Sequence, residues 1–246
     1  MLGLPSQVTA CLFDLDGVLT DTALVHSAAW KQTFDSFLET RAERQGQEFV
    51  PFDSKVDYHR YVDGRQRADG VRTFLASRGI TLPEGTPDDA PDAETVNGVG
   101  NRKNLLVLQK IKEGAVQVYP GSVEYLKAAK AAGLRRAVVS ASANCKDVLE
   151  AAGIADLLEV RVDGVVAREL GLPGKPAPDT FLYGAKLLGL DPAACAVYED
   201  AQAGVAAGRA GGFGIVIGVD RVGQADALRE NGADVVVTDL AELLDN

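Results

Sequence analysis

The stretch that decides the fold is Cys11-Leu12-Phe13-Asp14-Leu15-Asp16-Gly17-Val18-Leu19-Thr20-Asp21-Thr22. The apolar run of residues 8–13 predicts a buried strand, which Gly17 ends. Because side chains two apart in a strand point to the same face, we expect Asp14 and Asp16 to face one crevice if the strand persists to its tip. Two close carboxylates repel by about 4 kcal/mol at about 4 Å and an effective dielectric of about 20. A cation is therefore expected beside them, a hard metal ion first of all, although an acidic turn after a core strand explains the same residues.

Composition restricts the class of protein. The 246 residues are 46% hydrophobic, enough for one large domain or for a core with an insertion. The formal net charge of −10 weighs against a nucleic-acid partner. There is no apolar run of about 20 residues for a membrane span and no basic segment followed by an apolar one at the start. The three isolated cysteines fit no zinc or redox spacing, so we expect a reducing, cytoplasmic location. We also expect a monomer without membrane or nucleic-acid partners.

Residues 23–114 contain helical patterns and no strand pattern, which predicts an all-helical insert, or cap domain. A segment rich in proline and acidic residues at 83–95 predicts a solvated loop inside it. The predicted helical segments of the insert are 22–46, 53–61, 69–77 and 101–113.

Outside the insert, in residues 1–22 and 115–246, helices and short apolar strands alternate. This predicts an α/β core, a doubly wound parallel sheet of Rossmann-like type that binds ligands at the carboxyl ends of its strands. The glycine-rich run at 211–214 ends a helix and enters a strand, so it predicts a turn and not a dinucleotide site. Predicted strands after the insert are 137–139, 158–162, 194–198, 214–217 and 235–237; predicted helices are 122–132, 146–152, 179–188, 202–210, 225–231 and 239–244.

Polar residues follow two of these strands directly. After strand 137–139 comes Ser140-Ala141-Ser142-Ala143-Asn144, and hydroxyl and N–H groups at a helix start suit a phosphate oxygen. The same residues are also ordinary helix caps. After strand 194–198 come Glu199 and Asp200, whose carboxylates suit Mg²⁺ beside the first pair of aspartates. Asp200 alternatively suits a cap of the next helix.

Lys175 lies in the run Gly174-Lys175-Pro176-Ala177-Pro178-Asp179. The glycine and the prolines restrict the backbone and fix where the lysine side chain leaves it. An ammonium group held in this way supplies one point charge for a phosphoryl group. A solvated loop lysine is the alternative, and Asp179 is expected to cap the following helix.

In this order, the four groups of residues resemble the four motifs of the haloacid dehalogenase superfamily of phosphotransferases. The resemblance implies that Asp14 is the nucleophile, which becomes an aspartyl phosphate, and that Asp16 is the general acid and base. It also implies that Ser140 and Lys175 hold the transferring phosphoryl group. The implied Mg²⁺ ligands are Asp14, the backbone oxygen of Asp16, Asp200 and Glu199.

Residues of the insert resemble the β-phosphoglucomutase subfamily, whose cap lies between the first two motifs. Thr22, His26 and Trp30 follow the two aspartates at that subfamily's spacings, and the resemblance implies that Lys103 pairs with His26. A polar hinge residue and a core aromatic are the alternatives for His26 and Trp30. Further substrate- or phosphate-binding residues implied by the resemblance are Gly64, Arg67 with Arg65 as second choice, Ala141, Ser142 and Asn144.

The resemblance implies a Mg²⁺-dependent phosphomutase that interconverts β-glucose 1-phosphate and glucose 6-phosphate through an aspartyl phosphate and a β-glucose 1,6-bisphosphate. Its partner would be a small-molecule sugar phosphate. A sugar-phosphate phosphatase with the same residues is the first alternative, and a non-catalytic sugar-phosphate-binding module is the second. Asp63, Ala143 and Ala201 depart from the subfamily's pattern, which leaves the identity of the sugar open.

Overall fold

The structure is a computed structural model that describes residues 2–244. The chain divides into two compact units, and each is described here by itself. The core unit consists of the residues up to Asp21 and those from Val116 onward, and the inserted unit is Thr22–Ala115. Each of the two boundaries between the units lies one residue from its predicted position.

A parallel sheet forms the centre of the core unit, and its six strands among the described residues are β1 (Ala10–Phe13), β2 (Arg135–Val139), β3 (Val160–Val162), β4 (Cys195–Glu199), β5 (Ile215–Val219) and β6 (Val235–Val237). Their order in the sheet is β3-β2-β1-β4-β5-β6. In β1, Phe13 lies opposite Val138 on one neighbouring strand and Tyr198 on the other. The predicted α/β fold class is confirmed, and the carboxyl ends of β1, β2 and β4 share one edge of the sheet.

The described residues of the inserted unit form helices joined by loops, with no strand, as predicted, and include a π-helical turn at Tyr58–Val62. Its core is aromatic: the ring centroid of Phe34 lies 4.2 Å from that of Phe74 and 5.3 Å from that of Phe52. The helices are α1 (Ala23–Gln45), α2 (Arg67–Ser77) and α3 (Val96–Lys112).

Helix α3 begins five residues before the predicted start at Asn101. Thr95 caps it, because the Thr95 hydroxyl accepts a hydrogen bond from the Gly98 N–H at 2.9 Å. The preceding loop, residues 83–95, is largely exposed, as predicted. It is hydrogen-bonded to this helix, because the Asn101 side chain donates to the backbone oxygen of Asp89 at 2.9 Å. Gly98 and Gly100 in its first turns explain the missed start, because glycine disfavours a helix interior.

Helices cover the sheet of the core unit: α4 (Pro120–Ala131), α5 (Cys145–Ala152), α6 (Gly164–Glu169), α7 (Asp179–Leu188), α8 (Gln202–Ala210) and α9 (Ala225–Glu230). Helix α6 was not predicted from the sequence; Asp163 caps it by accepting from the N–H groups of Val165 and Val166. The predicted cap of α7 is wrong, since Pro178 precedes the helix and Asp179 lies in its first turn. The predicted last helix is a single 3₁₀ turn, Leu240–Leu243, capped by Asp239. Among the described residues, none of the helices combines the length and the apolar character needed to cross a membrane.

Candidate active site

Asp14 lies at the carboxyl end of the central strand. Its N–H donates to the Tyr198 carbonyl at 2.9 Å, so the hydrogen-bonded ladder with β4 reaches Asp14, which is 6% exposed. The strand itself ends at Phe13, and the next residues form a turn in which the Gly17 N–H donates to the Thr20 carbonyl at 2.7 Å. The strand alternation that predicted a shared face therefore stops before Asp16. The turn, and not the strand, sets the position of Asp16.

Lys175 joins three strand ends of the core unit. Its ammonium group donates to Asp14 Oδ1 at 2.5 Å, to Glu199 Oε1 at 2.5 Å and to the Val139 carbonyl at 3.1 Å. Three N–H donors thus meet three acceptors, and the residue is 2% exposed, so the solvated-lysine alternative is wrong. Burial alone would lower the pKa of Lys175, but the carboxylates of Asp14 and Glu199 outweigh it and raise that pKa above its ordinary value. The lysine therefore stays charged beside Asp14.

Glu199 is the last residue of β4 and is fully buried. One carboxylate oxygen accepts from Lys175, and the other accepts from the Ala201 N–H at 2.9 Å. Burial, assisted by the nearby Asp14 and opposed by Lys175, raises the pKa of Glu199 to about 7. Helix α8 approaches so closely that a Cβ on Gly204 would lie 1.7 Å from Glu199 Oε1. Glu199 thus holds the lysine and the start of α8, and its predicted role as a metal ligand stays a prediction.

The carboxylate of Asp200 lies against the turn that follows the two aspartates of the first motif. A Cβ on Gly17 would lie only 1.9 Å from Asp200 Oδ2, so only a glycine leaves room for this carboxylate. The helix-cap alternative for Asp200 is wrong, because Ala201 occupies the cap position of α8. Asp200 is 7% exposed and directly follows β4, the parallel neighbour of β1, so it lies at the same edge of the sheet as Asp14.

Serine hydroxyl groups in the loop after β2 accept hydrogen bonds from the backbone of the same loop. The Ser140 hydroxyl accepts from the Ser142 N–H at 3.0 Å, and the Ser142 hydroxyl accepts from the Asn144 N–H at 3.2 Å. Asn144 precedes α5, but its side chain makes no capping hydrogen bond, so the cap alternative does not hold for it. Ser140 and Asn144 are buried, and Ala141 and Ser142 are partly exposed. Since Lys175 bonds to Val139, this loop begins next to the lysine.

In the inserted unit, His26 and Lys103 form a buried pair. Lys103 Nζ lies 2.8 Å from His26 Nδ1 and 5.0 Å from the centroid of the Trp30 ring. Burial, and secondly the Lys103 charge, lowers the pKa of His26 well below its ordinary value, so the imidazole is neutral and Nδ1 accepts from the ammonium group. Trp30 is 3% exposed and stacks on Phe34 at 4.9 Å, which favours the core-aromatic alternative.

The remaining predicted residues of the insert occupy its helix starts and turns. Thr22 is buried, and its carbonyl accepts from the His26 N–H at 3.0 Å. Gly64 has a φ of +68°, which a residue with a side chain rarely adopts. Arg67 is the first residue of α2, and its stem lies beside α3, where a Cβ on Gly100 would lie 3.2 Å from Arg67 Cγ. Arg65 lies in the turn just before α2, and the predicted phosphate contacts of both arginines stay predictions.

The loop that follows β5 also lies beside this site, although its residues were not predicted to do so from the sequence. Asp220 there accepts from the N–H groups of Gly223 at 2.7 Å and Gln224 at 2.8 Å. Gln224 Nε2 in turn donates to the Asp200 carbonyl at 2.9 Å. The signal was available, because Asp220 follows a predicted strand and parallel strands bring their carboxyl ends to one edge.

Comparisons with known proteins identify the family of this chain. The family model for haloacid dehalogenase-like hydrolases matches residues 8–212. A Mycobacterium tuberculosis protein named beta-phosphoglucomutase is 59% identical over 99% of this chain and 94% of its own length. A Bacillus subtilis protein of the same name is 30% identical over 95% and 91%. The crystal structure of beta-phosphoglucomutase from Clostridium difficile superposes with a TM-score of 0.75 at 27% identity, covering 96% of this chain and 93% of that one. The chain therefore belongs to the haloacid dehalogenase-like hydrolase family of enzymes.

Proposed function

We propose that the protein is a β-phosphoglucomutase, which interconverts β-glucose 1-phosphate and glucose 6-phosphate. The observation that carries the phosphoryl-transfer part is the buried ammonium group of Lys175, held 2.5 Å from Asp14 Oδ1. This contact keeps a positive charge at the carboxylate that would attack phosphorus. The name of the mycobacterial relative, similar over nearly the full length of both chains, supports a mutase over a phosphatase.

In the proposed cycle, the phosphorylated form of Asp14 meets β-glucose 1-phosphate. The sugar's 6-hydroxyl oxygen attacks phosphorus as the bond from phosphorus to the Asp14 oxygen breaks, and Asp16 takes the hydroxyl proton. The resulting 1,6-bisphosphate turns over in the site. Asp14 then attacks the phosphorus at C1, Asp16 returns the proton to the departing C1 oxygen, and glucose 6-phosphate leaves. The enzyme ends the cycle phosphorylated, so no phosphate is released.

The acidic residues at the sheet edge fit a Mg²⁺ ion. The fit rests on Asp200, whose carboxylate abuts Gly17 and so lies beside the turn that contains the Asp16 carbonyl. Among residues 2–244, no group of three or more His, Cys, Asp or Glu side chains already surrounds an ion position. Mg²⁺ does not need such a cage, since it takes one or two carboxylates, a carbonyl, waters and a phosphate oxygen. Asp14, the Asp16 carbonyl, Asp200 and Glu199 would hold it, and it would neutralise charge on the transferring phosphoryl group.

For the sugar, we propose that the inserted unit supplies the second set of contacts. Gly64, Arg65 and Arg67 would bind the phosphate that is not transferred, for which an arginine fork suits two oxygens. The pair of His26 and Lys103, whose contact brings one positive charge to a buried imidazole, would lie near the substrate's hydroxyl groups. Thr22 and Trp30 would support this pair, and Ala141, Ser142, Asn144 and Ser140 would bind the phosphoryl group at Asp14.

The test mixes the protein with β-glucose 1-phosphate, Mg²⁺ and a trace of β-glucose 1,6-bisphosphate, and follows glucose 6-phosphate and inorganic phosphate by ³¹P NMR. We expect glucose 6-phosphate without stoichiometric phosphate. Phosphate equal to the sugar consumed would assign the protein as a phosphatase instead. The α-anomer serves as a substrate control, and an Asp14→Ala protein serves as the inactive control.

A second experiment assigns Asp16. Acetyl phosphate has a good leaving group that needs no proton, so Asp16→Asn is expected to accept phosphate on Asp14 at a rate within about threefold of wild type. Transfer from Asp14 to the sugar needs a base and is expected to fall by about 100-fold or more, the usual size of a general acid–base contribution. Intact-protein mass spectrometry measures both steps. Equal loss of both would refute the acid–base role.

A further inference from the structure

Arg221, in the loop that follows β5, contacts the turn of the first motif. Its Nε donates to the Gly17 carbonyl at 3.0 Å. Another nitrogen of the same guanidinium group donates to the Thr238 carbonyl at 2.7 Å and to Asp239 Oδ2 at 3.0 Å. The guanidinium carbon lies 3.6 Å from the centroid of the Tyr119 ring. The side chain is 14% exposed, so these contacts are largely removed from water.

The segment held by Arg221 is the one that contains Asp16. After Gly17 the chain is hydrogen-bonded to residues that follow the insert: the Tyr119 N–H donates to the Leu19 carbonyl at 3.1 Å. Tyr119 also donates its hydroxyl to Asp21 Oδ1 at 3.0 Å. Arg221 therefore packs on the Tyr119 ring, whose hydroxyl bonds to Asp21 at one end of the segment, and it donates to the Gly17 carbonyl at the other end.

Asp14 and Asp200 are held by hydrogen bonds that do not involve Arg221. Asp14 is hydrogen-bonded to the Tyr198 carbonyl in the sheet and to Lys175. The Asp200 backbone accepts from Gln224. Loss of the Arg221 side chain would consequently loosen the turn at Asp16 and Gly17 while the nucleophile and the Asp200 carbonyl keep these bonds.

We propose that Arg221 is a positioning residue for the acid–base step: it fixes the turn between Asp16 and Asp21 so that the Asp16 carboxylate reaches the sugar oxygen. The inference rests on the proposed function, because it assigns Asp16 to proton transfer. An arginine is suited to the task, since its planar fork bonds to acceptors in different directions and stacks on an aromatic ring at the same time. A lysine offers one compact ammonium group and cannot make all of these contacts.

The experiment compares Arg221→Met and Arg221→Lys with wild type and with Arg229→Met. Arg229 is a matched control from the neighbouring helix α9, where it is half-exposed and pairs with Asp226. Each protein is first phosphorylated on Asp14 with acetyl phosphate, and the phosphorylated fraction is measured by mass spectrometry. Transfer to β-glucose 1-phosphate is then timed per phosphorylated site in a quenched-flow instrument, so that misfolded protein does not count.

The rates are compared at saturating Mg²⁺, so that a weaker Asp16 carbonyl ligand does not slow the first step. Under this condition we expect Arg221→Met to be phosphorylated within about threefold of the wild-type rate and to transfer about 10- to 100-fold more slowly, the cost of a displacement near 1 Å. The lysine variant is expected to recover part of the transfer rate, and the Arg229 variant to behave as wild type. A purely structural role would lower the phosphorylated fraction and leave transfer per site unchanged, which would overturn the proposal. Equal slowing of both steps would also overturn it.

Failure of the proposed function gives a different result. If wild-type phospho-Asp14 passes its phosphoryl group to water and not to the sugar, the mutase assignment fails. The hydrolysis rate of phospho-Asp14 is then compared among wild type and the Arg221 variants, because an attacking water also needs a base. Slower hydrolysis in Arg221→Met supports the role of Arg221, and an unchanged rate overturns it. If wild type is not phosphorylated on Asp14 at all, both the function and the inference are overturned.

Discussion

Replacing Gly17 with alanine tests the close approach of Asp200 to the first motif. Gly17 has a φ of +87°, and an added Cβ would lie 1.9 Å from Asp200 Oδ2 and 2.5 Å from Cγ. The left-handed backbone alone costs an alanine about 1–2 kcal/mol. In addition, the carboxylate must retreat by about 1 Å or more to reach an ordinary contact distance, and displacements of that size in an active site cost about 100-fold in rate.

Gly189→Ala is the matched control. Gly189 ends α7 with a φ of +72°, and an added Cβ there would meet nothing within 4 Å. Both variants are expected to lose about 1–2 kcal/mol of unfolding free energy in urea, since both force an alanine into the left-handed region. Only Gly17→Ala is expected to lose activity.

The assay is the rate of Asp14 phosphorylation by acetyl phosphate and the rate of transfer to the sugar. Because Asp200 is a proposed metal ligand, Gly17→Ala is expected to slow both steps by about 100-fold, unlike the Arg221 variants. Its half-saturating Mg²⁺ concentration should rise as well. If Gly17→Ala stays within about threefold of Gly189→Ala in both steps, the argument from the Asp200 contact is refuted.

Two further predictions concern buried ionisable groups. In EDTA, the stability of wild type relative to Glu199→Gln should be highest below pH 4.5 and fall as the pH rises through about 7, because the raised pKa of Glu199 favours the protonated folded form. The pKa difference between about 7 and the ordinary 4.5, at about 1.4 kcal/mol per pH unit, corresponds to about 3 kcal/mol of unfolding free energy. Urea denaturation at several pH values measures it, with the exposed Glu150→Gln as control. An unfolding free energy that depends on pH in the same way in wild type and Glu199→Gln would contradict the prediction. Burial raises the pKa of all three thiols, those of Cys11, Cys145 and Cys195. Iodoacetamide at pH 8 should therefore leave the native protein unmodified and should label the protein in urea. Rapid labelling of the native protein would contradict this and show that the thiols become exposed to solvent.

Local sequence patterns predicted most of the fold for a physical reason. Strands that are buried on both faces are continuous apolar runs, and the glycines and polar residues between them mark the turns, so the alternation in the core could be read directly. Errors arose where a short element has a weak pattern. Helix α6 has only six residues, with two adjacent valines that also suit a strand, and the start of α3 depends on the Thr95 cap.

The candidate site could be predicted as a set of residues but not as a set of contacts. Parallel topology places Asp14 and Glu199 at one edge, yet nothing local shows that the Lys175 ammonium group bonds to both carboxylates and to the Val139 carbonyl. The lysine follows a helix and not a strand, and it and its three partners come from four segments of the chain. For the same reason the contact between Gly17 and Asp200 could not be foreseen, since glycine there also suits an ordinary turn.

The charges at this edge explain why phosphoryl transfer there requires more than Lys175. One ammonium group contacts two carboxylates, and burial, with a smaller contribution from Asp14, raises the pKa of Glu199 to about 7, as expected where a negative charge is poorly solvated. A phosphoryl group brings additional negative charge, and Asp200 lies beside the same turn. Opposite charges must therefore enter with the substrate, and a divalent ion between oxygen ligands supplies them in the smallest volume. The charges of these residues therefore support the Mg²⁺ proposal, in addition to the family to which the chain belongs.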